Sequence, residues 1–343
     1  MKKEINILLS SAGRRGYLVD YFKKALDGNG KVYASNSDSN SVACQRADEY
    51  TITPLIYSEE YIPFLLEYCK EKSISAIIPL FDIDLPILAK NRELFENIGT
   101  KIIVSNVDFI NVCNDKWKTY SFLKENDLDT FYTSIDLDKC INDIENQVVN
   151  YPLIIKPRWG MGSIGIYIAE NEDELRVFYA KVKKEIEKTY LKYEAVQDRE
   201  HSVIIQELIK GQEYGMDVIN DLSQNYCATI VRKKIGMRSG ETDCAEMVDN
   251  PKLIHLGEKL SKITGHIGNL DVDVFEYNGK YYVLEMNARF GGGYPFSHMA
   301  GADLPKAIVC WLNGETVNNS IFDVRKGITI QKEITLLELN VSK

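Results

Sequence analysis

Short apolar runs separated by amphipathic stretches dominate the N-terminal part of the chain. Runs at 5–9, 32–35, 76–80 and 102–104 have the unbroken apolar character of strands buried on both faces. Between them, 17–26 and 58–72 carry a helical repeat. Asp27-Gly-Asn-Gly30 ends the first, and Ser58 stands where a cap of the second belongs, with Glu60 and Tyr61 following. This alternation predicts an open, parallel α/β sheet. Farther on, helices are predicted at 116–126 and 139–149. A strand at 153–156 enters a glycine-rich loop and 166–168 returns from it. Asn171 to Glu174 reads as a helix start with reciprocal capping, and the charged helical stretch after it, to about residue 193, reads as a solvated face. From Ser202 the pattern turns strand-rich, with runs at 203–206, 214–218 and 226–231, an acidic hairpin over 271–287, a helix at 305–312 and a strand-like run at 327–334. Three units follow: 1–108, 109–201 and 202–343. No internal repeat or low-complexity linker is evident.

The hairpin carries the first candidate chemistry. Alternation places Asp271 with Asp273 and Glu285 with Asn287. A two-residue Asn278-Gly279 turn would set the aspartates beside Leu284 and Met286. A three-residue loop, Tyr277-Asn278-Gly279 with Gly279 left-handed, changes the parity and is preferred because it separates oil from charge. Val272, Val274, Tyr282, Leu284 and Met286 then share one face. Asp271, Asp273, Glu285 and Asn287 share the other, with Asp271 across from Glu285. Such an oxygen-rich face suits Mg2+; a solvated hairpin with chance acids is the alternative.

A second feature is a strand that delivers Lys156 into Pro-Arg-Trp-Gly160-Met-Gly162-Ser163-Ile-Gly165. Glycine lets backbone N–H groups approach phosphate closely, and the lysine adds a point charge. The lysine precedes the glycines, so this is not a Walker A loop; the alternative is a plain hairpin with a glycine tip. The connector Glu207-Leu208-Ile209 to Glu213 can offer backbone groups to an adenine edge and a carboxylate to ribose. Ser10 to Gly16 lacks the GxGxxG pattern and either lines a substrate crevice or is a tight turn. Arg232, Lys234 and Arg238 either meet phosphate or a substrate carboxylate, or form a basic surface strand. Gly291 and Gly292 lie in a glycine triplet expected to floor an acceptor pocket, within reach of Arg14 and Arg15.

Composition narrows the rest. With 343 residues, 45% hydrophobic and 27% charged, the chain is ordinary globular protein. The net charge of −9 argues against nucleic acid or an anionic membrane as the main partner. Seven unpatterned cysteines argue against zinc and suit reduced thiols in a cytoplasm. The four histidines show no metal spacing. The N-terminal apolar run, interrupted by Asn6, is neither a signal peptide nor a membrane span.

Taken in order, Lys116, Lys156 with its glycine loop, Glu207 with Glu213, Asp273, Glu285-Met-Asn287 and Arg289 resemble the ATP-grasp superfamily, in particular carbamoyl-phosphate synthase and biotin carboxylase modules and stand-alone carboxylate–amine ligases. The resemblance implies a parallel pre-ATP-grasp α/β domain followed by the two-lobed α+β ATP-grasp fold, a small lobe with a glycine lid and a C-terminal lobe with the metal site. It implies Lys116 and Lys156 on the ATP phosphates, Gly160, Gly162, Ser163 and Gly165 in the lid, Glu207, Leu208 and Ile209 around adenine, and Glu213 on ribose. Asp273, Glu285 and Asn287 would hold Mg2+, two ions, with Mn2+ as a substitute, and Asp271 is the ambiguous acid. Arg289 would steady the transferred phosphate. The reaction implied is activation of a carboxylate as an acyl-phosphate and its capture by an amine, both small molecules with amino-acid-like ones favoured, in a homodimer. A kinase-like enzyme and a non-catalytic nucleotide-binding module are the rivals. The chain has the length of one half of a synthase, so complete carbamoyl-phosphate synthesis is not expected.

Overall fold

The computed structural model describes residues 4–160 and 165–339. Gly162 and Ser163, two of the expected lid residues, lie outside the described residues.

Five parallel strands form the first sheet: β1 (Ile7–Ser10), β2 (Val32–Asn36), β3 (Glu49–Ile52), β4 (Ala76–Pro79) and β5 (Lys101–Ile102), in the order β3-β2-β1-β4-β5. The expected open parallel sheet is formed. Its residues alternate between two cores. Ile7 and Leu9 pack with Phe290, Tyr294 and Ile308 from the C-terminal part, whereas Leu8 packs with Tyr61, Leu65 and Phe95. Strand order reverses between β1 and β4, so the crevice outside their carboxyl ends is the topological switch point, where open α/β sheets place ligands.

The second sheet is antiparallel: β6 (Thr133–Ser134), β7 (Leu153–Pro157), β8 (Tyr167–Ala169) and β9 (Val203–Glu207), in the order β6-β9-β7-β8. Leu153, Ile155, Val203 and Ile205 pack on the helix Glu172–Lys188. Asn171 caps that helix through the Glu174 N–H, and the Glu174 carboxylate reaches back to the Glu170 N–H. We therefore move the boundary drawn at 201–202 to the connector after Glu207, because β9 forms its ladder with β7.

The third sheet holds β10 (Gln212–Asn220), β11 (Tyr226–Arg238), β12 (Glu241–Met247), β13 (Gly268–Tyr277), β14 (Lys280–Asn287) and β15 (Thr329–Gln331), ordered β14-β13-β10-β11-β12-β15. Its covering helix, Pro251–Thr264, starts with an Asn250 cap and a first-turn proline and stops at left-handed Gly265. No helix among the described residues is long and apolar enough to cross a membrane.

The acidic hairpin solves its parity problem differently from the expectation. Asn278 (φ 50) and Gly279 (φ 74) make a two-residue turn between paired Tyr277 and Lys280. The extra residue sits in the strand instead. Leu284 bulges between Val283, which faces Val274, and Glu285, which faces Asp273. Val283 and Met286 thereby join Val272 and Val274 in the core, displacing Tyr282 and Leu284 from the role expected of them. Asp271 faces Asn287 rather than Glu285.

At the centre of this sheet Asp217 on β10 lies directly opposite Asp271 on β13. Arg232 on β11 donates to both, at 2.5 Å and 2.7 Å. Asn269 and Ser297 also donate to Asp217. A Cβ on Gly215 would stand 2.6 Å from Arg232 Nε, and one on Gly293 2.2 Å from Nη2, so glycine at both positions makes the room. Removing one partner of a buried ion cluster strands the others, so Arg232→Leu is expected to cost about 3–5 kcal/mol, with partial recovery on adding Asp217→Asn. Urea unfolding measures both; an unchanged midpoint for the single variant would mean that the cluster contributes no stability.

Candidate active site

The four-stranded sheet and the β13–β14 edge of the six-stranded sheet enclose a cleft. Lys116, Trp159, Gly160, Glu285 and Asn287 line it, and Asp82 from the N-terminal domain closes one end.

Lys116 opens the helix Lys116–Glu125, whose first turn is capped by Asp115. The Asp115 carboxylate also grips Arg158 through two contacts of 2.8 Å, and Arg158 reaches Asp198 at 3.0 Å. This fixes the root of the glycine loop against the helix. Lys116 Nζ donates to the Gly160 carbonyl at 2.7 Å. Gly160 (φ +101) has no space for a side chain, since a Cβ would sit 2.4 Å from Leu191.

Lys156, next to last in β7, is buried and its side chain makes no hydrogen bond or ion pair among the described residues. Burial pushes its pKa down to about 8, with repulsion from Lys116 adding to this and Glu285 opposing it. Burial also lowers Lys116, against the attraction of Glu285, Asp115 and Asp82. A buried and a half-buried ammonium group that repel one another make a site that gains from a polyanion.

Glu285 and Asn287 project into the same cleft, and neither side chain makes a hydrogen bond among the described residues. Asp273, opposite Glu285, is bound at 2.7 Å by Lys234, which also holds Glu213 at 2.6 Å. Burial raises the Asp273 pKa to about 7, opposed by Lys234. No group of three or more His, Cys, Asp or Glu side chains converges among the described residues. Two carboxylates and an amide oxygen nevertheless fit a hard cation that keeps part of its shell for phosphate and water.

Other expected site residues fall elsewhere. Arg232 is enclosed by Asp217 and Asp271 and is 1% exposed, so its guanidinium is committed to the fold rather than presented to a substrate. Arg238 is an exposed residue at the far end of β11, paired with Asp243. Arg14 is exposed and paired with Glu241, which also lies beside Gly292. Gly291 serves Asp271: a Cβ there would stand 2.1 Å from the carboxylate carbon. Glu207 is exposed at the end of β9, and Leu208 and Ile209 begin the connector to β10. Arg289 is nearly buried, bonded to Asp82 at 2.9 Å and Asp271 at 3.5 Å. Sequence reasoning missed Asp82 and Arg158 as partners, and read Lys234 for phosphate, a substrate carboxylate or a basic surface strand rather than for Asp273 and Glu213. Only the buried strand running into Lys-Pro-Arg hinted at the second of these.

The profile described as ATP-grasp domain matches residues 113–293, and that of the PylC-like N-terminal domain matches 7–103. The chain belongs to the ATP-grasp family. It is 23% identical over 278 residues to the carbamoyl phosphate synthase large chain of Pseudothermotoga lettingae, covering 78% of this chain and 23% of that protein. The chain thus spans about a quarter of the length of such curated relatives, 28% for the Helicobacter pylori protein. Among solved structures, the biotin carboxylase domain of Hydrogenobacter thermophilus 2-oxoglutarate carboxylase, in complex with MgADP and bicarbonate, superposes with a TM-score of 0.73 at 19% identity, covering 96% of this chain and 74% of that one. N5-carboxyaminoimidazole synthetase from Staphylococcus aureus does so at 0.69 and 17%, covering 93% and 80%. At these identities the likeness is one of fold.

The lowered lysines give a pH test. With Lys156 depressed from 10.5 to about 8, a polyanion binding above that pH must first reprotonate it. Affinity for Mg-free ADP is expected to weaken by up to about tenfold per pH unit above 8, and Lys156→Met to remove that part of the slope. Stability runs the other way: between about 8 and 10.5 the unfolded chain holds a proton the folded chain has released, so folding gains as pH rises. Calorimetric titration between about pH 7 and 9.5 reads the affinity; a flat profile would detach Lys156 from the phosphates.

Proposed function

We propose that the protein is an ATP- and Mg2+-dependent ligase that activates a carboxylate as an acyl-phosphate and transfers the acyl group to an amine. The observation that carries this reading is a cleft lined by half-buried Lys116 and the unpartnered Glu285 and Asn287, with buried Lys156 electrostatically coupled to Lys116 and Glu285 and with Arg289 bonded to Asp82 at the cleft's end. Lys116 and Lys156 neutralise the triphosphate. Glu285, Asn287 and Asp273 hold Mg2+, with two ions and Mn2+ substitution as the finer expectation. The bound cation screens phosphate charge during transfer. The connector from Glu207 to Ile209 borders the adenine, and Glu213, once Lys234 is shared with Asp273, faces the ribose.

The chemistry itself is positioning and charge. A carboxylate oxygen attacks the γ-phosphorus, the bond to the β–γ bridging oxygen breaks and ADP leaves. The amine then attacks the acyl carbon, phosphate departs and the nitrogen releases its proton. Arg289, held by Asp82 and Asp271, is assigned to the phosphate on the acyl group, which needs a donor. The small lobe with its glycine loop excludes water from that intermediate. Amino-acid-like acids and amines are the favoured substrates, and a homodimer is the favoured assembly, in line with the dimer named for the biotin carboxylase domain.

ADP release should require an acid and an amine together, assayed with pooled amino acids, and hydroxylamine should divert the product to a hydroxamate. Glu285→Gln is expected to abolish Mg2+-dependent turnover without altering the fold. Lys156→Ala removes a charge-assisted contact of about 1.5–3 kcal/mol, which corresponds to at least about tenfold in turnover or affinity. Release of ADP with acid alone would mark a kinase, and tight ATP binding without turnover a binding module.

A further inference from the structure

Asp82 is 5% exposed and uses only one of its oxygens. Oδ2 accepts from Arg289 Nε at 3.1 Å and Nη2 at 2.9 Å, while Oδ1 has no hydrogen-bond partner among the described residues. A buried carboxylate oxygen without a donor is costly, and such a group at a cleft wall points to a ligand that supplies one. The backbone around it is held firmly. The Asp82 carbonyl accepts from Asn114 at 2.8 Å. Two residues on, fully buried Asp84 accepts from the hydroxyls of Ser10, Ser11 and Tyr61 at 2.6, 3.0 and 2.6 Å. Asp84 therefore laces the carboxyl end of β4 to that of β1, the two strands that flank the switch point.

Arg15 belongs to the β1 side of the same crevice. It is half-buried, and its side chain has neither a hydrogen bond nor an ion pair among the described residues. Its guanidinium lies within electrostatic reach of Arg289, Asp82 and Glu241. Burial and, after it, the neighbouring Arg289 depress its pKa below the ordinary arginine value. The crevice thus presents an unused carboxylate oxygen and an unused guanidinium that do not satisfy each other, next to the arginine assigned to the acyl-phosphate.

We propose that this switch-point crevice is the amine-substrate subsite, that it takes a zwitterionic α-amino acid, and that Asp82 Oδ1 accepts from the amino group while Arg15 binds the carboxylate. A ligand carrying both charges completes both residues at once. A neutral amine or a simple acid leaves one of them unpaired, which is the physical basis for selecting between them. Asp82 also fixes the relative position of the partners, because its other oxygen holds Arg289. The amine nitrogen is brought beside the activated carbonyl through one rigid side chain. The placement beside the acyl-phosphate rests on the ligase reading; the recognition of an amino acid does not.

Saturation-transfer NMR on the full chain, with and without Mg2+ and AMP-PNP, tests the recognition. The probes are a mixture of the standard amino acids, with butylamine and butyrate as singly charged controls. At least one amino acid should give signals and the two controls should fail to compete. Asp82→Asn and Arg15→Gln should each weaken that amino acid by about tenfold or more, ~1.4 kcal/mol. AMP-PNP affinity, measured in parallel, should stay within about twofold in Arg15→Gln, which touches no residue of the nucleotide site. Silence across the mixture, equal competition by either control, or wild-type affinity in both variants would overturn the proposal. Loss of AMP-PNP binding together with amino-acid binding in Arg15→Gln would reduce its role to folding and overturn the assignment of that residue. Amino-acid binding without any hydroxamate formation would instead count against the ligase reading and leave the subsite standing.

Discussion

A single run of buried charges ties the molecule together. Asp217 is bound to Arg232, Arg232 to Asp271, Asp271 to Arg289 and Arg289 to Asp82. The run starts in the middle of the six-stranded sheet and ends at the switch point of the parallel sheet. Each ion is costly to bury alone and tolerable only with its neighbours. The glycines at 215, 291 and 293 exist to let these side chains close up, since any Cβ there would strike Arg232 or Asp271. The N-terminal domain and the C-terminal lobe share a hydrophobic core as well, in which Ile7, Leu9 and Phe22 meet Phe290 and Ile308. These two units are therefore one body energetically. The small lobe has its own core around Ile155, Ile205 and Val182. Across its seam with the N-terminal domain, Tyr57 donates to Glu194 and packs on the Tyr193 ring.

The electrostatics of the cleft run against those of the whole. A chain with net charge −9 sets Lys116 in the cleft wall with Lys156 close enough to feel its repulsion. Burial, and after it the repulsion from Lys116, depresses Lys156. In the proposed reading a triphosphate supplies the counter-charge that both lysines lack.

The legible parts of the sequence were those with a period or a fixed order of residues. Apolar runs gave the parallel sheet, and the Lys-Pro-x-x-Gly string and Glu285-Met-Asn287 gave the cleft walls in the right sequence order. Less legible was anything set by partners far along the chain. The bulge at Leu284 cannot be told from a loop bulge by alternation alone, because both restore the same parity; packing of Val283 against the core decides between them. Arg232 and the glycine triplet looked like substrate contacts because an arginine strand and a flexible loop carry no mark of whom they meet. Asp82 had no signal at all: one aspartate after a buried strand is common, and only its unused oxygen singles it out.

The same register explains which acids are left for a cation. Asp271 spends its oxygens on Arg232 and Arg289, so it is a structural residue despite lying beside the metal-binding candidates. Asp273 shares Lys234 with Glu213, which leaves it partly neutralised. Glu285 and Asn287 alone face the cleft without a bond among the described residues. In the proposed reading one free carboxylate, one free amide and one lysine-bound carboxylate are too few for tight Mg2+ binding, since that ion demands six oxygens and yields its water reluctantly. Phosphate oxygens must supply the remainder. Cation and nucleotide are then each other's missing ligands, and neither binds well until the other is present.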